Sequence, residues 1–569
     1  MEYLRQLALR ADAAWRLGPR PVLLATWDRS LPARALACRA LADAPVPGGP
    51  WWPDTAPPPP PLPAAHCAEL LACATALGPA DWHGPFPPTA PAFGMDLFGP
   101  GDIRPVWERN RWAELPLLAQ AARLAPAAGH GARAAALLAD WAARNSPFRG
   151  PNWASGQEAA LRALHAALAL GLLGAPPPAG LRALLGLHGR RIAATPAYAM
   201  AQDNNHAISE PAGLLACGLL LGESDWIALG ERRLAAARRR LVGADGGFAQ
   251  LSPGYHRLLL DVLAVTAWLR RRHGLPPWPE DPAPVLWLHR LTDPATGATP
   301  RIGHQDGSAF ADLALAGPAD ARPSLERAAR LLAGRSADLP DDSGCAWLGL
   351  AAGPALPAAP ARWQAGGIAA WQEGPARALL RIGPLRFRPA HADLLHCDLW
   401  DGPLNLLRDG GTGAYNPWHR ALAATAAHNT VEFDGADQMP ALSRFLHARW
   451  PRCGPLPDGG WLQDHRGNRQ ERHIAVAGRR WRIQDRLSGP WREAALRWRL
   501  APGEWRLTAD GLAGPLARFR LSADAPLALS LEAGEESPAY GEVRPAPVVV
   551  ARLRAPASRI ETLITLPDR

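Results

Sequence analysis

The hydrophobic period changes partway along this chain, and that change limits the possible folds more than any other feature. Between about residues 65 and 350 apolar residues recur every three or four positions, in 117–125, 132–143, 157–172, 181–193, 211–221, 226–241 and 256–271. That spacing marks one face of an α-helix, and Gly, Pro and Asn separate the segments. Consecutive helical hairpins in such number form either a solenoid or a closed α/α toroid. The lack of a fixed-period sequence repeat favours the toroid. Beyond about residue 353 the pattern becomes alternation, in 367–371, 376–382, 429–433, 479–485, 494–500, 505–509, 517–521, 527–531, 548–553 and 560–566. Runs such as Arg497-Trp498-Arg499-Leu500 have one buried and one solvated face, as in an antiparallel β-sandwich.

The expected organisation is an N-terminal helical segment with a Pro-rich connector (1–64), an α/α toroid (65–350) and an antiparallel β-sandwich (351–569). Residues 1 to about 44 read as one or two helices, and Pro57 to Pro61 then form an unbroken run that no helix continues through. A second connector is expected at 335–362, between toroid and sandwich. At 569 residues the chain exceeds what one hydrophobic core supports.

A formal charge of +9 and a pI near 9.7 suit an acidic partner. All 61 basic residues are Arg, however, with no Lys. That points to a compositional bias, and the Arg residues are spread rather than clustered, so nucleic-acid binding is not expected. The first residues alternate charged and apolar side chains instead of building a secretory core, and no run of about eighteen apolar residues is available to span a bilayer. A cytoplasmic location is the expectation. Seven scattered Cys do not make a disulfide framework. Oligomeric state is not legible.

Polar insertions interrupt the helical region at helix starts: Asp102-Ile-Arg104 through Trp107 and Arg109, Asn152-Trp153 through Glu158, Asn204-Asn205-His206 through Glu210, and Tyr255-His256-Arg257. Any one of these polar residues reads first as a helix cap. Together they place amide, imidazole and phenol groups at one rim of a toroid. In the strand region His391, Asp409 and His428 each lie at the edge of a short strand-like run, where a folded sheet could gather them round a metal, although intervals this long carry little information by themselves.

The motifs occur in an order that resembles the heparinase II/III family of polysaccharide lyases: Asp-Ile-Arg, Asn-Trp with a following Glu, Asn-Asn-His with Glu, Tyr-His, then His391-Ala-Asp393, Asp409-Gly-Gly-Thr412 and His428-Asn429-Thr430-Val. The resemblance implies a toroid followed by a sandwich and a divalent metal, usually zinc, on His391, Asp409 and His428. It also implies β-elimination on a uronic-acid-containing polysaccharide. Abstraction of a proton next to a carboxylate builds a second negative charge, so preorganised donors are needed there. Asn205 and His206 suit that role, Glu210 would orient His206, and Tyr255 would act as acid or base. Asn204, Trp107, Trp153, Glu158, His256, Arg257, His396 and Tyr415 are the expected substrate-binding residues. His304 to Gly307 resembles a Gly-Asp-x-Asp-Gly loop of the family that could line the cleft, but reads first as a turn.

Two departures accompany the resemblance. Pro389 stands where the family commonly has a His two residues before the metal-binding His; a shifted alignment would make His391 catalytic and His396 the substitute ligand. A Tyr usual between the Asp-Gly-Thr and His-Asn-Thr elements is absent, with Tyr415 the nearest phenol. The alternative expectation is therefore a non-eliminating carbohydrate-binding or modifying protein of exopolysaccharide biosynthesis that keeps the fold and metal site.

Overall fold

The computed structural model describes residues 2–338 and 343–568. Met1 of the first expected helix and residues 339–342 of the expected 335–362 connector lie outside them. The fold is an α/α toroid followed by an antiparallel β-sandwich.

Helices Gly156–Leu173 and Pro253–Arg272 are buried on nearly every side, as expected of the inner members of a helical ring. The helix expected from residue 211 begins at His206. Pro211 suggested a start, since Pro favours first turns, but the Asn205 carbonyl already accepts from the amides of Ile208 and Ser209 at 3.1 and 2.9 Å. His206 and Glu210 consequently share a helix face one turn apart.

The first segment folds as three helices, α1 (Glu2–Leu17), α2 (Pro19–Arg29) and α3 (Leu31–Ala40). Gly18 at φ 81° breaks the first pair, and Ser30, whose side chain accepts from the Ala33 amide, caps the third. Leu9 and Ala13 of α1 pack on Leu442, Leu446 and Ala448 of the sandwich. Arg20 of α2 pairs with Asp203 of the toroid at 3.2 Å. The Pro-rich stretch wraps the toroid, with the Pro57 and Pro58 carbonyls accepting from Arg123.

The strand region comprises a five-stranded meander from Arg362 to Leu407, an eight-stranded sheet, a four-stranded sheet and a small hairpin, all antiparallel among the described residues. Strand Arg480–Ser488 alternates exposed and buried residues as its sequence predicted. One core runs through these sheets from Ala369 to Leu566.

Described parts of the expected second connector are not a free linker: Leu348, Leu350 and Leu356 are buried in the toroid core. Ala365, Ile368, Leu379 and Trp400 of the first sheet join that same core. Trp287 donates to the Ala365 carbonyl at 3.1 Å, and the Gln305 amide donates to Thr412 at 2.7 Å. Toroid and sandwich therefore meet over a continuous apolar contact with polar crosslinks.

Candidate active site

A cavity of about 670 Å³ opens where the toroid rim meets the sandwich. Asn204, Asn205, His206 and Tyr255 line it from the toroid, Tyr415 and Phe445 from the sandwich. Trp107 and Glu158 also reach its wall.

Each toroid group is held by a partner. The Asn205 amide nitrogen donates to Gln157 Oε1 at 2.9 Å, and the Asn205 backbone donates to Gln250 at 3.1 Å. The Asn204 side chain accepts from the His206 backbone amide at 3.0 Å, a turn leading into the helix. His206 Nδ1 lies 3.3 Å from Glu210 Oε1. Glu210 is buried and packs against Gly156, where any β-carbon would lie 2.7 Å from its carboxylate. It thus supports His206 from behind.

Tyr255 donates to Asp306 Oδ2 at 2.5 Å. Burial, and then the Asp306 carboxylate, push the phenol well above its ordinary range, so it keeps its proton. Burial works against charge on Asp306, but Arg104, 3.3 Å away, and the Tyr255 hydrogen bond outweigh it and hold the carboxyl below its usual value. Glu158 is likewise held ionised against burial by a two-point bond from Arg111, at 2.8 and 2.9 Å. His304, on the cavity wall, is pushed by burial to about 4 despite nearby Asp306. Edge-on contacts with His391, Tyr415 and Phe445 hold the ring.

Behind this wall, with ring centroids 5.4 Å apart, His304 meets His391 edge-on. His391, Asp409 and His428 are buried, and one ligand atom from each lies within 4.8 Å of the others. His391 Nδ1 and His428 Nε2 are buried without hydrogen-bond partners. Burial, then His428, hold His391 well below its usual value and hence neutral. Asp409 is ionised because His428, 3.0 Å away, outweighs its burial. Two unpartnered imidazole nitrogens beside a carboxylate form a donor set that fits a divalent ion such as zinc.

The same motifs knit the sandwich. Asn429 accepts from the Arg499 amide at 2.6 Å and donates to the Cys397 carbonyl at 2.9 Å, and Thr430 donates to the Leu394 carbonyl. Arg472, fully buried, grips Asp485 through two nitrogens at 2.8 and 2.9 Å and donates to the carbonyls of Leu395 and Asn429. Gly411, at φ 78°, has no room for a side chain, since a β-carbon would lie 2.4 Å from the Ser537 carbonyl.

Four expected substrate-binding residues do not face the cavity. Trp153 is wholly buried among Trp141, Phe148 and His188, with its indole donating to the Asn145 carbonyl. His256 is buried, stacks on Trp287 and bonds the Pro284 carbonyl. Arg257 points into the toroid toward Ser324 and Pro318. His396 lies beneath the His391, Asp409 and His428 cluster; burial works against its charge, but Asp398 and Asp409 raise its basicity. His256 and Arg257 were read as sharing the orientation of Tyr255, whereas successive α-helical residues diverge by about 100°. His304 and Asp306 line the cavity, the reading placed second to a turn because a Gly-flanked polar loop is ordinarily one. Arg104, Arg111 and Gln157 were missed although each lies within or beside a quoted motif.

Residues 355–564 match the family described as Heparinase II/III-like, C-terminal. The strand region is similar to a heparinase II/III-like C-terminal domain. The whole chain is similar in fold to a crystal structure of heparinase III, with 13% identity, TM-score 0.66 and coverage of 96% of this chain and 92% of that one. A second heparinase III gene product gives 15% identity, TM-score 0.58 and coverage of 94% and 89%. A mutant heparan sulfate lyase from Pedobacter heparinus gives 15% identity, TM-score 0.54 and coverage of 96% and 88%. No curated protein sequence matches the chain. The heparinase II/III-like fold expected from the motifs is thus the one found.

Proposed function

We propose that the chain is a polysaccharide lyase that cleaves a uronic-acid-containing polysaccharide by β-elimination in the cavity between toroid and sandwich. The observation that carries this reading is the convergence of Asn205, His206 and Tyr255, from two helix starts, on one cavity. Asn205 and His206 donate to the substrate carboxylate and stabilise the charge that builds when its α-proton leaves. Arg29 and Arg386, exposed at the same cavity, attract an anionic chain. Tyr255 holds its proton and delivers it to the departing 4-linked oxygen. His304, neutral and held by Tyr415 and Phe445, is the base for the α-proton, and so fills the place left by Pro389 in the sequence pattern.

His391, Asp409 and His428 would hold the metal, most simply zinc. When bound, it supplies positive charge that draws these buried ligands together behind the His304 wall. Incubation with a panel of uronate polymers, followed by ultraviolet absorbance of the unsaturated product, tests the reading. The wild type is expected to generate product on at least one polymer, with Asn205→Ala and Tyr255→Phe silent on it. Silence of the metal-loaded wild type on every uronate polymer would count against it.

A further inference from the structure

The outer face of α1 is apolar where a surface helix is ordinarily polar. Nine of the eleven exposed large hydrophobic residues among those described fall between Tyr3 and Val46. On α1, Tyr3 is 74% exposed, Leu4 69%, Leu7 42% and Trp15 87%. The helix docks on the sandwich through Leu9 and Ala13, a minor stripe, and turns its wider apolar face outward. On a 3.6-residue wheel that outward arc holds Tyr3, Leu4, Leu7, Ala8, Ala11, Ala14 and Trp15, with no charged residue inside it.

We propose that this face pairs with α1 of a second copy of the chain, in an antiparallel two-fold dimer. Leu4, Ala8, Ala11 and Trp15 are spaced four, three and four apart, the seam of a two-helix coil. Their order along the helix is large, small, small, large. An antiparallel two-fold sets Leu4 against the second copy's Trp15 and Ala8 against its Ala11, so the seam complements itself and the two Ala layers let the backbones approach. The four large side chains of α1 offer on the order of 500 Å², taking ~150–250 Å² for each aromatic, against about 800 Å² per partner in a standard interface. Leu23, Trp27 and Leu31, next along the chain, are also exposed and supply further apolar surface.

An interfacial lipid helix would instead flank its apolar stripe with cationic residues. Here the border is mixed: Asp12, engaged by Arg16 and the Arg449 amide, is the charged residue nearest one edge of the arc, ahead of Arg5 and Arg16, and Arg10 alone borders the other edge. Pairing would also reach the cavity, because α1 rests on the hairpin whose Ser443, Phe445 and Leu446 line it.

Sedimentation velocity of the full chain over a concentration series is expected to show a reversible dimer. Leu4→Glu and Trp15→Glu should each raise its dissociation constant by roughly 30-fold or more, with the far-ultraviolet circular dichroism unchanged because both side chains are exposed. In a Cys38→Ser, Cys73→Ser background, oxidation of a mixture of Ala8→Cys and Ala11→Cys chains should crosslink one variant to the other in preference to itself. A monomer at every concentration, or a dimer indifferent to both Glu substitutions, overturns the proposal. So does a monomer that floats with phosphatidylglycerol vesicles, which would assign the face to a membrane.

Discussion

At the scale of single residues, the account turns on protons held in fixed places. Tyr255 keeps its proton because burial and Asp306 both disfavour the phenolate. Tyr255→Phe is therefore expected to reduce turnover by about 10²–10⁴-fold, with oligosaccharide affinity by calorimetry little changed. His304 serves as a base only when neutral, and with its value near 4 the acid limb of the pH–rate profile should fall through about pH 4. In His304→Asn that limb should disappear along with most of the rate. A profile unchanged in His304→Asn would remove His304 from the reaction. Asn205, His206 and Tyr255 were legible because their residue types and order carry a motif. The role of Asp306 was not, because it arises from a 2.5 Å contact with a residue 51 positions away, and nothing local to Gly307 signals that contact.

Among elements, the loops and strands bearing the metal-site residues depend on buried polar crosslinks more than on strand propensity. Arg472 ties strands Arg469–Ala477 and Arg480–Ser488 to the backbone beside His396 and His428. Arg472→Met should destabilise the protein by about 3–5 kcal/mol, because Asp485 keeps the Gln470 hydrogen bond but is left buried without its cationic partner; denaturant unfolding measures this. His428→Ala should lose the bound metal by elemental analysis, and chelation of the wild type should lower its thermal transition. A chelated protein with an unshifted transition would speak against a metal on His391, Asp409 and His428. Ten of the nineteen described strands were visible as alternation, and Cys397–Asp401 is among those that were not. All five of its residues are buried, so the pattern loses its period of two. The start of helix His206–Leu221 was misplaced for a related reason: Pro211 is a strong local signal that the Asn205 cap overrides.

For the whole molecule, burial of neutral imidazoles sets an acid limit to stability. Burial lowers His165 to about 3 and His256, His304 and His447 to about 4, from an unfolded value of 6.5. The unfolded chain therefore binds the extra protons first. The stabilising contribution is complete above pH 6.5 and is lost as the pH falls through about 4; chemical denaturation at a series of pH values should show the decline begin near 6.5. The two-part architecture was readable from the change of period, but the close joining of its parts was not, since Leu356 and Trp400 look like ordinary apolar residues until the toroid core is seen to include them. That joining is what places toroid amide, imidazole and phenol groups opposite sandwich residues. The most direct test of the central claim is mass spectrometry of the fragments released from a defined uronate oligosaccharide. Elimination predicts two fragments whose masses sum to that of the substrate, one of them carrying a double bond. Fragments that together contain one added water would show hydrolysis and contradict the account.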